Sequence, residues 1–249
     1  MYKLLAKSFL YPTQEVYDFI RSQQYQDSLS DALAIENLSA DMEREIMTFR
    51  ESISADRIPS REELEEEYNR LFAHLASAKC PPYETEYGYD NVFQKTQAMA
   101  DIAGFYHAYQ LEVADVNTER VDFLAMELEF MSYLTANEAY ARKHGEEEHL
   151  EICLDTQRKF LRDHIGRWVT AFTKILVNAT ENAFYLRVGK LTEGFLDTEA
   201  RTLGVELAKV TAPSGDAVGE LKPFGCDGCL YANSGDENVN NASNIKFEV

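Results

Sequence analysis

The chain has 249 residues, 45% of them hydrophobic, enough to bury a sizeable core and to exclude a wholly disordered protein. Its 43 acidic and 24 basic side chains give a formal charge of −19, which repels phosphate backbones and argues against nucleic acid as a partner. The same field favours solubility and draws in cationic partners.

Residues 1–10 carry two lysines among short apolar pieces, with neither a continuous apolar stretch nor a small-residue cleavage site. That is not the pattern of a signal peptide. No apolar run approaches the roughly 20 residues that span a bilayer, so no membrane insertion is expected and the cytoplasm is the expected location. Residues 2–10 and 13–24 read as two short helices broken at Tyr11-Pro12, with Thr13 capping the second. Over 39–53, Ser39 is an N-cap and Met42, Ile46, Phe49 and Ile53 form one stripe. Ser60 caps an acidic helix, with Glu63 three residues on as a capping box, and Leu64, Tyr68, Leu71, Phe72 and Leu75 make its apolar face. The glutamates at 62–67 read as a solvated face near the helix N-terminus.

Residues 79–91 break the pattern. Pro81 and Pro82 force an extended path, and Tyr83, Tyr87 and Tyr89 offer amphipathic contact surface. Helical spacing resumes near Val92 and runs to about Gln110. Asn117 or Thr118 then caps a helix with Glu119 in its first turn. Val121, Leu124, Ala125, Leu128, Met131 and Leu134 form one stripe of that helix; Phe123, Met126, Phe130 and Tyr133 form a second. A helix apolar on two sides lies between other helices, so Glu127 and Glu129 must face a partner or the bundle edge.

Two more helices, 146–163 and 165–180, meet near Gly166, and 182–209 continues in helical register. The expected fold is all-α, a single helical-bundle domain over 1–210. Pro213-Ser214-Gly215 opens an irregular C-terminal extension, 211–249, rich in Asn, Ser, Gly and Asp over 232–244. Its last five residues alternate like a short strand.

No glycine-rich phosphate loop, GxSxG elbow or HExxH helix occurs, and five histidines are scattered, so no enzyme is expected. Cys226 and Cys229 form a CxxC turned by Asp-Gly. Two thiolates at that spacing suit a metal ion such as zinc, or a redox pair, or simple packing. A structural zinc site needs four ligands, so Cys80, a histidine or a second protomer would have to complete it. The other two cysteines read as isolated thiols, which fits a reducing compartment.

Four pieces together resemble the TorD/DmsD/NarJ family of redox-enzyme maturation chaperones. They are Leu4-Leu5…Phe9-Leu10-Tyr11-Pro12; Tyr68-Asn69-Arg70-Leu71-Phe72 followed by Pro82-Tyr83-Glu84-Thr85; Glu119-Arg120-Val121-Asp122-Phe123…Glu127-Leu128-Glu129-Phe130-Met131; and Phe160-Leu161…His164-Ile165…Trp168…Phe172. Their order and spacing span about residues 1–190. Val121 stands where the family usually has Pro, and Phe123 where it has His, so a role resting on that imidazole is missing here.

The resemblance implies N- and C-terminal helical parts joined by a hinge, near 110–120, and monomers or swapped homodimers. It also implies binding of the twin-arginine leader and apo form of a molybdopterin oxidoreductase catalytic subunit, delay of export, and help with cofactor insertion. Weak nucleotide binding is implied by resemblance alone. A leader with two arginines and an apolar helix calls for carboxylates beside an aromatic groove. The peptide-binding candidates are therefore Tyr83, Glu84, Glu119, Asp122, Phe123, Glu127 and Phe130. The competing readings are a metal-binding or redox-active protein built on Cys226 and Cys229, and an accessory subunit of a reductase complex.

Overall fold

The computed structural model describes residues 1–34, 38–53, 58–73, 78–111, 119–208 and 210. Ten α-helices run through them: α1 Tyr2–Ser8, α2 Gln14–Ile20, α3 Gln23–Leu33, α4 Ala40–Ser52, α5 Arg61–Phe72, α6 Val92–Ala108, α7 Leu124–His144, α8 Glu147–Asp163, α9 Ile165–Ala179 and α10 Ala183–Leu203. The sole β-type pairing among the described residues is an isolated antiparallel bridge, Tyr83 with Phe123. The all-α expectation is borne out. The expected hinge falls mostly on 112–118, outside the described residues, as do Asn117, Thr118 and the extension with Cys226 and Cys229.

Short polar side chains set most helix starts. Thr13, Ser22, Ser39, Ser60, Asn91 and Asn182 each accept a backbone N–H from the first turn of the helix they open. Ser60 and Glu63 form the full capping box. α7 and α10 stop at Gly145 and Gly204, whose φ of 70° and 68° is the left-handed C-cap geometry.

Three boundaries differ from the sequence reading. The segment 13–24 is not one helix: α2 ends at Ile20, and Ser22 caps a separate α3, which buries Tyr25, Leu29 and Ala32. α10 ends at Leu203 and not near 209. The third, at the start of α7, belongs to the site below.

α7 packs between α1 and α8, and α10 packs on α4 and α9. Phe172 of α9 sits where these layers meet. Its ring lies 5.6 Å from Phe9 of α1, 6.2 Å from Phe72 of α5, 5.6 Å from Trp168 and 6.5 Å from Tyr87. A second aromatic group gathers Phe105 and Tyr106 of α6, Phe130 of α7 and Phe160 of α8, with Phe130 and Phe160 4.8 Å apart. The first group includes Tyr87 and so ties the 81–89 loop to α9; the second joins α6, α7 and α8.

Gly166 lies where α8 hands over to α9, and a Cβ there would run into the Leu161 carbonyl and the Leu207 side chain. Gly104, inside α6, has open space around it. Gly166→Ala is therefore expected to destabilise by about 1–3 kcal/mol. Gly104→Ala is expected to stabilise by about 0.5–1 kcal/mol. Denaturant unfolding of the two variants checks both signs.

Candidate functional site

The 81–89 loop has two prolines and no regular ladder, so its place is fixed by bonds to distant parts of the chain. The Cys80 N–H donates to the Leu71 carbonyl at 3.0 Å, tying the loop to the end of α5. The Leu124 N–H donates to the Pro82 carbonyl at 2.9 Å, and the Glu84 N–H to the Asp122 carbonyl at 3.0 Å. Those two bonds form the Tyr83–Phe123 bridge and lay the loop along the entry to α7.

A carboxylate then locks this join. Asp122 is fully buried. One of its oxygens accepts the Thr85 N–H at 3.0 Å and the Thr85 hydroxyl at 2.9 Å. Arg120 donates to both oxygens, at 2.9 and 2.7 Å. The same guanidinium donates to Thr85, reaches Glu86 at 3.2 Å, and lies 4.6 Å from the centre of the Tyr83 ring. Lys95 of α6 donates to the other Glu86 oxygen at 2.8 Å. Burial works to raise the Glu86 carboxyl, but Lys95 and Arg120 outweigh it and hold it below the usual range.

The far end of the loop has its own network. The Tyr89 hydroxyl donates to buried Glu84 at 2.6 Å, and His164 Nδ1 lies 3.2 Å from the other Glu84 oxygen. Arg167 donates to the Tyr89 hydroxyl and stacks 4.5 Å from its ring centre. His164 Nε2 faces the exposed Asp101 carboxylate at 3.3 Å. Tyr89, Gln94, Gln97, Asp101, His164 and Arg167 line an open cavity of about 620 Å³. Behind the loop, Trp168 donates its indole N–H to Glu127 at 3.1 Å. The second Glu127 oxygen has no hydrogen-bond partner among the described residues. Burial first, and then the charge of Glu84, push the Glu127 carboxyl well above the usual range. Glu129, on the α1 side, is raised by burial to about 7, with Lys7 and Lys3 opposing the rise.

The candidate residues thus separate. Glu84, Asp122, Phe123, Glu127 and Phe130 are buried, and the contacts they make hold the loop and α7 together. Phe130 packs between α6 and α8. Tyr83 is half-buried and Glu119 is exposed, and the Tyr83 hydroxyl donates to Glu119 at 3.0 Å. Glu119 is not in a first helical turn: α7 begins at Leu124, with Phe123 as its N-cap residue. The reason is Asp122, whose carboxylate turns to Thr85 and Arg120 and leaves the segment before it as a turn. Glu127, expected at a partner or bundle edge, lies inside. The sequence reading passed over Thr85, Arg120, His164 and Arg167 as site residues; the i, i+2 pairing of Arg120 with Asp122 was the available signal. Cys80 is buried, its thiol donating to the Phe172 carbonyl at 3.5 Å. Among the described residues no three or more metal-ligating side chains are grouped, and no helix is long and apolar enough to cross a membrane.

Fold and loop together define a class: a helical bundle with one irregular loop latched across it by buried carboxylates. Residues 35–174 match the model of the nitrate reductase delta subunit family, and the chain belongs to that family, the group of the TorD, DmsD and NarJ maturation chaperones. No curated protein matches the chain significantly. Among solved structures, an Archaeoglobus fulgidus protein named for redox enzyme maturation is 22% identical, covering 79% of this chain and 91% of that one with a TM-score of 0.44.

Removing the Asp122 carboxylate would leave Arg120 and two Thr85 donors without their acceptor. Asp122→Ala is expected to destabilise by about 3 kcal/mol, and Asp122→Asn, which keeps one acceptor oxygen, by less. Equilibrium unfolding measures both, and an unchanged stability would mean that Asp122 does not hold the loop.

Proposed function

We propose that this chain is a cytoplasmic chaperone for the catalytic subunit of a molybdopterin oxidoreductase, binding its twin-arginine leader and its apo form before export and assisting cofactor insertion. It acts by binding and is not an enzyme. The observation that carries the reading is membership of the nitrate reductase delta subunit family. The geometry adds a chemical reason. Tyr83 and Glu119 present a ring and a carboxylate side by side at the surface, the pairing an arginine of a leader engages by charge-assisted hydrogen bonds. Asp101, two-thirds exposed, adds a second accessible carboxylate near the other end of the loop. The formal charge of −19 speeds the approach of a basic peptide. In this reading the buried candidates, Glu84, Asp122, Phe123, Glu127 and Phe130, support the contact surface from behind.

Calorimetry with the twin-arginine leader peptide of any molybdopterin oxidoreductase catalytic subunit encoded beside this chain's gene tests the reading. Binding is expected in the micromolar range or tighter, weaker as salt is raised. Glu119→Lys is expected to weaken it about three- to tenfold. Absence of binding to the leader, or a salt-independent affinity unchanged by Glu119→Lys, contradicts it.

A further inference from the structure

The imidazole of His164 is fixed on one side only. Its Nδ1 lies 3.2 Å from the buried Glu84 carboxylate. A carboxylate in that place is the usual support of a metal-ligating histidine, because it takes the Nδ1–H and leaves the Nε2 lone pair facing away. Nε2 has no hydrogen-bond partner among the described residues. The Asp101 carboxylate stands 3.3 Å from it without forming a hydrogen bond, and both residues line the cavity beside the 81–89 loop. A lone pair set next to a carboxylate oxygen is repulsive unless a cation lies between them. Two donor atoms on one tetrahedral zinc ion, each about 2.0–2.1 Å from it, stand about 3.3 Å apart. These are two ligands, and a structural zinc site takes four. We propose that Cys226 and Cys229 complete a zinc site with His164 Nε2 and Asp101 at the mouth of this cavity.

The path of the chain after α10 supports the assignment. Val205, Leu207 and Val210 are partly buried and pack on the core. Leu207 lies against Gly166, and Val210 lies against Gly88, which has a φ of 75° and lines the cavity. The C-terminal extension therefore sets out from the cavity rim. Cys226 comes 16 positions after Val210, a reach of up to about 55 Å for extended chain. The cavity itself is only about 620 Å³, so the CxxC is within reach of its mouth.

The ligand types select the ion. Magnesium and calcium take oxygen ligands, whereas two thiolates with an imidazole and a carboxylate suit tetrahedral zinc. Both thiols give up their protons to solvent as the ion binds, and Nε2 has none to lose. Two thiolates and one carboxylate around a divalent ion leave one negative charge in excess. Arg167, which lines the same cavity, offsets it. Asp163, also on the cavity wall, is already paired with Arg162. Once loaded, the site ties the extension to α6 and to the start of α9. It also takes Asp101 out of the surface offered to a leader and leaves the Tyr83–Glu119 pair for that contact. The zinc site stands whether or not a leader binds.

Three measurements on the purified full chain test this: zinc content, zinc affinity by chelator competition, and the absorption of the cobalt-substituted form. Expected are one zinc per chain and, with cobalt, both thiolate charge-transfer absorption and the visible bands of a tetrahedral ion. Cys226→Ser and Cys229→Ser are each expected to lose stoichiometric zinc. His164→Gln and Asp101→Ala are expected to keep the charge-transfer absorption, alter the visible bands and weaken zinc binding at least about tenfold. Asp101 is two-thirds exposed, so Asp101→Ala disturbs no packing and decides by itself should His164→Gln not fold. Less than one zinc per chain, one zinc shared by two chains, or zinc held as tightly by either folded variant as by the wild type overturns the proposal.

Discussion

The Asp122 carboxylate is the interaction on which the rest depends. A loop with adjacent prolines and no ladder cannot place itself, and four donors from Thr85 and Arg120 converging on one buried carboxylate do it instead. Charge-assisted bonds of this kind are short and directional. They also enforce their own completion, because an unpaired buried carboxylate costs several kcal/mol. Once Asp122 is satisfied, Tyr83 lies along Phe123, Glu84 enters the interior beside Glu127 and His164, and Glu119 stays outside next to the Tyr83 hydroxyl. The accessible and the inaccessible halves of the site are set by the same bond.

Much of the fold is legible in the sequence because helix ends are local. Ser39, Ser60 and the Thr13 cap each act within three residues, and the capping box at Ser60 and Glu63 is readable from letters alone. The split between α2 and α3 was equally local. Ser22 is a cap, and Tyr25, Leu29 and Ala32 recur at helical spacing, yet the sequence reading carries one helix past Ser22 to residue 24 and places none over 25–33. The true start of α7 was not local. Glu119 reads as a first-turn acid until the bond of Asp122 to Thr85, 37 residues earlier, is known.

The site shows the same division more sharply. A carboxylate in a sequence reads as surface, because isolated charges stay in water. Glu84, Asp122 and Glu127 break that expectation by finding partners at His164, Thr85 and Trp168, across separations that periodicity cannot see. Their residue types suggest surface contacts, whereas the fold places them inside. The Pro82–Thr85 loop and the Glu119–Phe123 segment, which both supply peptide-binding candidates, are joined in the structure by backbone and side chain alike.

The proposed function turns on one claim, that the loop and the segment before α7 are where a partner is met. Amide hydrogen exchange of the full chain, with and without the apo catalytic subunit of a molybdopterin oxidoreductase from the same organism, tests this most directly. The account predicts that exchange changes at 83–89 and 119–123. Changes confined to helices remote from that join, with the loop and the α7 entry unaltered, would contradict it.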